Sequence, residues 1–292
     1  LKKGIIAFFH SLLYPLIYFV SQIFALFAAI FIYTITESIE SGARTGDIPA
    51  DAFALQNNFL PVYNQQIIIA ACIMTCLVIL LILKTGKRRL RDAFVIRRLP
   101  VLKAVMIVLL GVSINISTMY ILALLPIPEN VLKQYEEMVG NVIMSDNIWL
   151  TILTAALFVP VTEEIVFRGM SFNILRRSMS VTLAVVLQTI IFAGSHILPL
   201  QISYVLPTAL VLGLVYVWCG SFLAPVLLHI SYNGFSSVFS AISEAAAEGA
   251  VAESVQFEYI DFIVLAVSLA VTVACLIALY VTRERDAGLE KA

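Results

Sequence analysis

Eight apolar stretches, at about residues 5–35, 65–83, 101–125, 148–172, 181–198, 202–219, 222–243 and 259–281, dominate the chain. A helix crosses the hydrocarbon core of a bilayer in roughly 20 residues, and each stretch is near or above that length, 202–219 being short. A chain of 292 residues that is 61% hydrophobic and only 13% charged has more apolar surface than a water-soluble core can hold. The expected fold is therefore all-α, a polytopic transmembrane helical bundle of about eight spans forming a single integral membrane domain over 1–292. The first stretch is longer than one crossing needs, so either Pro15 kinks it or its start lies in the interface. It is also far too long for the apolar part of a cleavable signal peptide.

The loops set an orientation. Lys2 and Lys3 precede the first stretch, a basic run from Lys84 to Lys103 follows the second, Arg176 and Arg177 follow the fourth, and Arg283, Arg285 and Lys291 follow the eighth. With both termini cytoplasmic, only Arg44 and Lys133 of the 18 Lys and Arg residues fall outside. Glu37, Asp47, Glu129, Glu136, Glu137, Glu258 and Asp261 fall on that outer side with Arg44 and Lys133. Eight spans with N- and C-termini in the cytoplasm thus satisfy the positive-inside bias, and the inverted arrangement violates it at every loop. Trp149 and Trp218 fall at stretch ends, where interfacial anchors belong. The loops 36–63 and 244–258 are polar, acidic and expected to be loosely ordered. A net charge of −1 with basic residues confined to short loops gives no reason to expect a nucleic-acid partner. Cys72, Cys76, Cys219 and Cys275 lie in or beside apolar stretches and read as small packing residues.

Ionisable side chains inside such spans are costly to desolvate and point to function by default. They are few: Glu163, Glu164 and Arg168 in the fourth stretch, His196 in the fifth, and His229 with Asn233 in the seventh. His10 lies beside the basic N-terminus and can reach the headgroups. Glu164 and Arg168 are one helical turn apart, with the acid N-terminal to the base, the favourable order for an ion pair. Glu163 points about 100° away on a helix and cannot share that pairing equally. It is left as a loose carboxylate in a low dielectric, suited to general acid–base work. Phe192 and His196 are four apart, as are His229 and Asn233, so each pair shares a face. The plain structural alternative is that these groups only pin helices together. Two His, one Asn and one unpaired Glu on three separate spans point instead to a shared site. Glu163, His196 and His229 would also make a plausible zinc set, although H-E-x-x-H is absent. Ser195 neighbours His196 and points away from it, no G-x-S-x-G is present, and no second intramembrane Asp exists to form an aspartyl dyad.

E-E-x-x-x-R at Glu163, Glu164 and Arg168, F-x-x-x-H at Phe192 and His196, and H-x-x-x-N at His229 and Asn233 resemble the motifs of the CPBP family of intramembrane proteases. That family includes CAAX prenyl endopeptidases of the Rce1 type and bacterial proteins linked to bacteriocin processing or self-immunity. The three motifs run in order through about residues 160–235, and the catalytic core spans are expected over 148–243. The resemblance implies that Glu163, helped by His196, activates a water, that His229 and Asn233 stabilise the oxyanion, and that Glu164 and Arg168 hold the first carboxylate. It implies a peptide or prenylated-protein substrate in a bacterial cell membrane, with no cofactor required unless zinc is used.

The expected function is thus an intramembrane endopeptidase with a cavity facing the cytoplasm. The alternatives are a non-catalytic immunity or scaffold protein, a zinc-dependent form of the protease, and a proton-coupled transporter, which predicts inverted repeats that the chain does not show. One tension stands. Counted at about 1.5 Å per residue, His229 lies shallow from the cytoplasm and His196 nearer the far side.

Overall fold

The computed structural model describes residues 2–41, 59–87, 93–143, 147–247 and 258–283. These residues form helices α1 (Lys2–Ser11), α2 (Leu13–Ser41), α3 (Leu60–Thr85), α4 (Val101–Leu124), α5 (Glu129–Ile143), α6 (Ile148–Arg176), α7 (Val181–Gly194), α8 (Pro199–Cys219), α9 (Leu223–Ala247) and α10 (Tyr259–Val281). No strand occurs among them. Each expected apolar stretch is helical over most of its length, the first being α1 and α2 end to end. Among the described residues, six helical segments are long and apolar enough to cross a membrane: Lys2–Ile39, α3, α4, α6, α8 and α10. The apolar α7 is shorter, with 14 residues. The expected acidic loops are narrower than the sequence suggests, since α2 runs on to Ser41 and α9 to Ala247. Their middles, with Arg44, Asp47 and Asp51, lie outside the described residues, as do Arg88, Arg89, Arg91, Arg285 and Lys291.

Two prolines shape the bundle. Pro15 has no N–H to give the carbonyl four residues back, so the Ser11 carbonyl is left without its helical donor. Ser171 Oγ on α6 donates to it at 2.8 Å, and both serines are fully buried. The break after Ser11 that Pro15 predicts is therefore also a weld between the first helix pair and α6.

Helix α6 is not a uniform α-helix. It is π-helical over Thr154–Phe158 and again over Ile165–Phe172, the kind of bulge that clusters at functional sites. In the first bulge the Val159 N–H donates to the Thr154 carbonyl, five residues back. The next residue is Pro160, so the Ala155 carbonyl has no donor in that register. Asn233 on α9 supplies one, from Nδ2 at 3.1 Å. In the second bulge, glycine is required by close approach. A Cβ at Gly169 would collide with the Phe94 ring.

The bundle has two distinct ends. At one, Asn173 Nδ2 donates to the Ala93 carbonyl at 2.7 Å, Ser221 Oγ to the Arg97 carbonyl at 2.7 Å, and the Phe222 N–H to the Val95 carbonyl at 2.7 Å. Lys3, His10 and Arg177 line one shallow pocket there, and Arg98, Lys103, Arg176 and Arg283 belong to the same set of chain turns. This is the basic end. At the opposite end, Tyr33 of α2 packs on Phe59 at 4.7 Å between ring centroids, and the Tyr135 hydroxyl of α5 meets that of Tyr204 of α8 at 3.0 Å. Trp149 stands 77% exposed at this end, and Trp218 packs on Tyr280 at the basic end. Helix α5 was not expected from the apolar pattern. It is amphipathic, carries Glu129, Lys133, Glu136 and Glu137 on exposed positions, and lies among the chain turns opposite the basic end.

Candidate active site

The fully buried Arg168 is the hub of the interior. Its Nη1 donates to Glu164 Oε1 at 2.8 Å, the one-turn ion pair that the spacing predicts, with both side chains fully buried. Its Nη2 donates to the Ala209 carbonyl of α8 at 3.1 Å, and its guanidinium carbon lies 4.4 Å from the centre of the Phe192 ring on α7. His229 of α9 adds a further tie, with Nδ1 2.8 Å from the same Glu164 Oε1. One carboxylate, one guanidinium and one aromatic ring therefore bolt α6, α7, α8 and α9 together. Attraction inside such a pair is offset by desolvation, but removing one partner of a buried pair typically costs about 3–5 kcal/mol, because the other charge is stranded.

Glu163 faces another way, as the helical angle requires. Its Oε2 lies 3.7 Å from His229 Nε2, and its Oε1 is 3.5 Å from the hydroxyl of Tyr18 on α2. His229 thus presents each ring nitrogen to a different glutamate. The adjacent acids are divided by it: Glu164 is sealed behind, and Glu163 lines open space.

That space is a cavity of about 440 Å³. Glu163, His196, His229, Asn233 and Phe192 all line it, and Glu164 and Arg168 do not. His196 is not on α7, contrary to the expected span of 181–198. The helix ends at Gly194, and His196 sits in the following turn. Its Nδ1 lies 3.0 Å from the Phe192 carbonyl. A ring nitrogen facing a carbonyl carries the proton, which leaves Nε2 of the neutral ring as an acceptor. Phe192 lies between the two imidazoles, 5.2 Å from His196 and 6.0 Å from His229 between centroids.

The tension over depth has a structural answer. The turn between α8 and α9 does not reach the surface: Cys219, Ser221 and Phe222 are buried, and the bonds to Val95 and Arg97 hold the segment after Ala93 over them. Helix α9 starts deep, and His229 with it. The cavity runs from Glu163 and His229 to Tyr135 and the exposed Met138 of α5. It extends toward the end of the bundle opposite the basic turns. The expected cytoplasm-facing cavity and the expected cytoplasmic placement of the basic loops therefore conflict, because they lie at opposite ends of these helices.

The zinc set is not assembled. Among the described residues, no group of three His, Cys, Asp or Glu side chains is placed to hold a metal. Glu163 and His229 approach each other, but His196 is turned to its own helix carbonyl. The donor set as placed does not fit a zinc ion.

A family model, type II CAAX prenyl endopeptidase Rce1-like, matches residues 145–235. Over this segment the chain is similar to the Rce1-like family. The match spans α6 to the middle of α9, the helices that carry every charged or imidazole group of the cavity. No curated protein and no solved structure matches the chain.

Outside the Rce1-like segment, four residues at the site escape the sequence reading. Tyr18 touches Glu163 from α2, and nothing marks it among the other aromatics of that helix. Tyr135 and Met138 on α5 line the cavity from a helix that a search for apolar runs passes over. Asn115 of α4 lines it too, and its Oδ1 is buried without a hydrogen-bond partner. An uncharged amide in the middle of an apolar span was the available signal.

Proposed function

We propose that the protein is an intramembrane endopeptidase that hydrolyses a peptide bond of a membrane-associated peptide or protein, of the CAAX, bacteriocin or pheromone-precursor kind. One observation carries this reading: Glu163, His196, His229 and Asn233, from three separate segments, share one cavity, while the charges that make those segments tolerable in lipid stay sealed behind it. The family description, a prenyl endopeptidase, supports the same chemistry.

In this mechanism Glu163 takes a proton from a water held between it and His196 Nε2. The hydroxide attacks the scissile carbonyl, and the carbonyl oxygen becomes an oxyanion. Asn233 Nδ2 has two hydrogens, one committed to Ala155, and the second is free to donate to that oxyanion. His229 faces Glu164 with Nδ1 and the site with Nε2, the nitrogen whose N–H would donate to the oxyanion. Collapse of the intermediate breaks the C–N bond, and the proton on Glu163 passes to the leaving amine. A donor to an oxyanion in a dry site lowers the barrier by about 3–4 kcal/mol. None of these steps requires a metal.

The test is cleavage of candidate membrane peptides, compared by peptide mass spectrometry between cells carrying wild type, Glu163→Gln and His196→Ala. Cleavage is expected to vanish in both variants while insertion and abundance persist. Undiminished cleavage in either would sink the assignment. A second reading rests on the engagement of His229 with Glu164 and of Asn233 with Ala155. Both have structural partners, as in a non-catalytic immunity or scaffold protein, and a cellular phenotype retained by inserted Glu163→Gln protein would favour it.

A further inference from the structure

We propose that the cavity takes its substrate from the extracytoplasmic side of the membrane, as an uncharged segment of a peptide or protein exposed at that surface, with α5 at the entrance. This rests on the endopeptidase reading for what happens to the segment, but not for the side from which it enters.

The argument starts from the distribution of charge. The Lys and Arg residues of the loops collect at the turns joining α3 to α4 and α6 to α7 and at the two chain ends. The hydrogen bonds from Asn173, Ser221 and Phe222 to residues 93–97 show that these turns lie at one end of the bundle. Basic short loops are retained in the cytoplasm, and acidic ones count for little in that choice. The basic end is therefore the cytoplasmic end.

The cavity belongs to the other end. Its walls come from the start of α3 at Gln65, the end of α4 at Met119 and Leu122, the start of α6 at Thr151, and the start of α8 at Gln201. With helices that alternate in direction, all four positions lie on the side of α5. Glu163 is 13 residues from the basic end of α6, about 20 Å at 1.5 Å per residue. The space between it and the basic end is filled by core side chains, Val166, Phe167, Met170 and Phe172 among them, each at most 4% exposed. A substrate entering from the cytoplasm would have to displace that core. One entering past Met138 would not.

The lining also restricts what enters. Among the described residues it holds no Lys or Arg, and its polar groups beyond the site are amides and hydroxyls such as Gln65, Asn115, Thr151 and Gln201. Arg168 is committed to Glu164 and Ala209 and does not reach the cavity. A lining of this kind suits an uncharged segment. The exposed Glu136 and Glu137 of α5 stand at the entrance and favour neutral or basic flanks.

The orientation can be read on the unmodified protein. Intact cells are treated with a membrane-impermeant sulfonated succinimidyl ester, and modified lysines are mapped by mass spectrometry. Lys133 on α5 is expected to be modified in intact cells, and Lys84, Lys87 and Lys103 only after permeabilisation. The reverse pattern would overturn the proposal. Access to the cavity is then tested with Ser236→Cys, which lines it, in a chain whose four cysteines are replaced by Ala. An impermeant maleimide is expected to label it from outside intact cells. Labelling only in inside-out vesicles would overturn the proposal even with Lys133 outside. If the cysteine-free chain does not insert, Ser236→Cys in the native background is compared with the parent, whose Cys72, Cys219 and Cys275 are buried. Neither readout needs turnover. Labelling as expected, combined with full cleavage by Glu163→Gln, would remove the catalytic reading and leave the orientation standing.

Discussion

Glu164 Oε1 accepts from Arg168 and faces His229, whereas Glu163 has only long approaches from Tyr18 and His229. Neighbouring acids of the same type should therefore fail in opposite ways. Glu164→Gln keeps the shape but strands the Arg168 charge, and we expect a clear drop in the thermal unfolding midpoint of the detergent-solubilised protein together with lost activity. Glu163→Gln should leave that midpoint close to wild type and abolish cleavage. Equal midpoints for the two variants would contradict the division of labour. Asn233→Ala is expected to lower kcat by about 10²–10³-fold, the typical effect of losing an oxyanion donor, measured by single-turnover cleavage in proteoliposomes. The division between the two glutamates was legible from a helical angle of 100° per residue. The bridge by His229 was not, because it depends on where α9 starts, and that is set by the burial of Ser221 under residues 93–97.

At the level of helices, small residues and prolines set the spacing. A Cβ at Gly111 of α4 would lie 2.7 Å from the Leu228 carbonyl and 2.8 Å from Ser231 Cβ on α9. Gly111→Ala should push α4 from α9 one residue away from His229, lowering both thermal stability and activity. Ser171→Ala leaves the Ser11 carbonyl buried without a donor, a loss of about 1–3 kcal/mol, visible as a lower unfolding midpoint with catalysis intact below it. Apolar stretches of about 20 residues announced most helices within a few residues. The pattern failed at two places that matter. Helix α5 is amphipathic rather than apolar, so a search for spans reads it as loop. Helix α7 ends at Gly194, so His196 reaches the site from a turn, with its Nδ1 at the Phe192 carbonyl and its ring against the Phe192 ring.

For the molecule as a whole, the outward faces of α2, α3 and α10 are greasy, with Phe24, Phe27, Phe31, Leu77, Val273 and Ile277 exposed. The protein is expected to stay in the membrane pellet through an alkaline carbonate wash, and recovery in the supernatant would contradict an integral placement. Because Glu163, His196 and His229 do not converge as metal ligands, cleavage by purified protein should survive prolonged treatment with a strong zinc chelator. Loss on chelation and return on adding zinc would show that the site rearranges around a metal. The membrane class and the polar residues of the site could be read from one dimension. The side on which the cavity lies could not, because counting residues along the chain assumes that every turn reaches the surface.

The bond from Asn233 to Ala155 exists because Pro160 cannot supply one. Position 233 therefore answers to two masters, and the residues at 160 and 233 should not vary independently. A chain with alanine at 160 regains a main-chain donor there, and its amide at 233 is released from the scaffold. In a genetic screen, Pro160→Ala should suppress the folding defect of Asn233 replacements without restoring turnover. Such one-sided suppression would separate, in a living cell, the part of this side chain that builds the protein from the part that serves its chemistry.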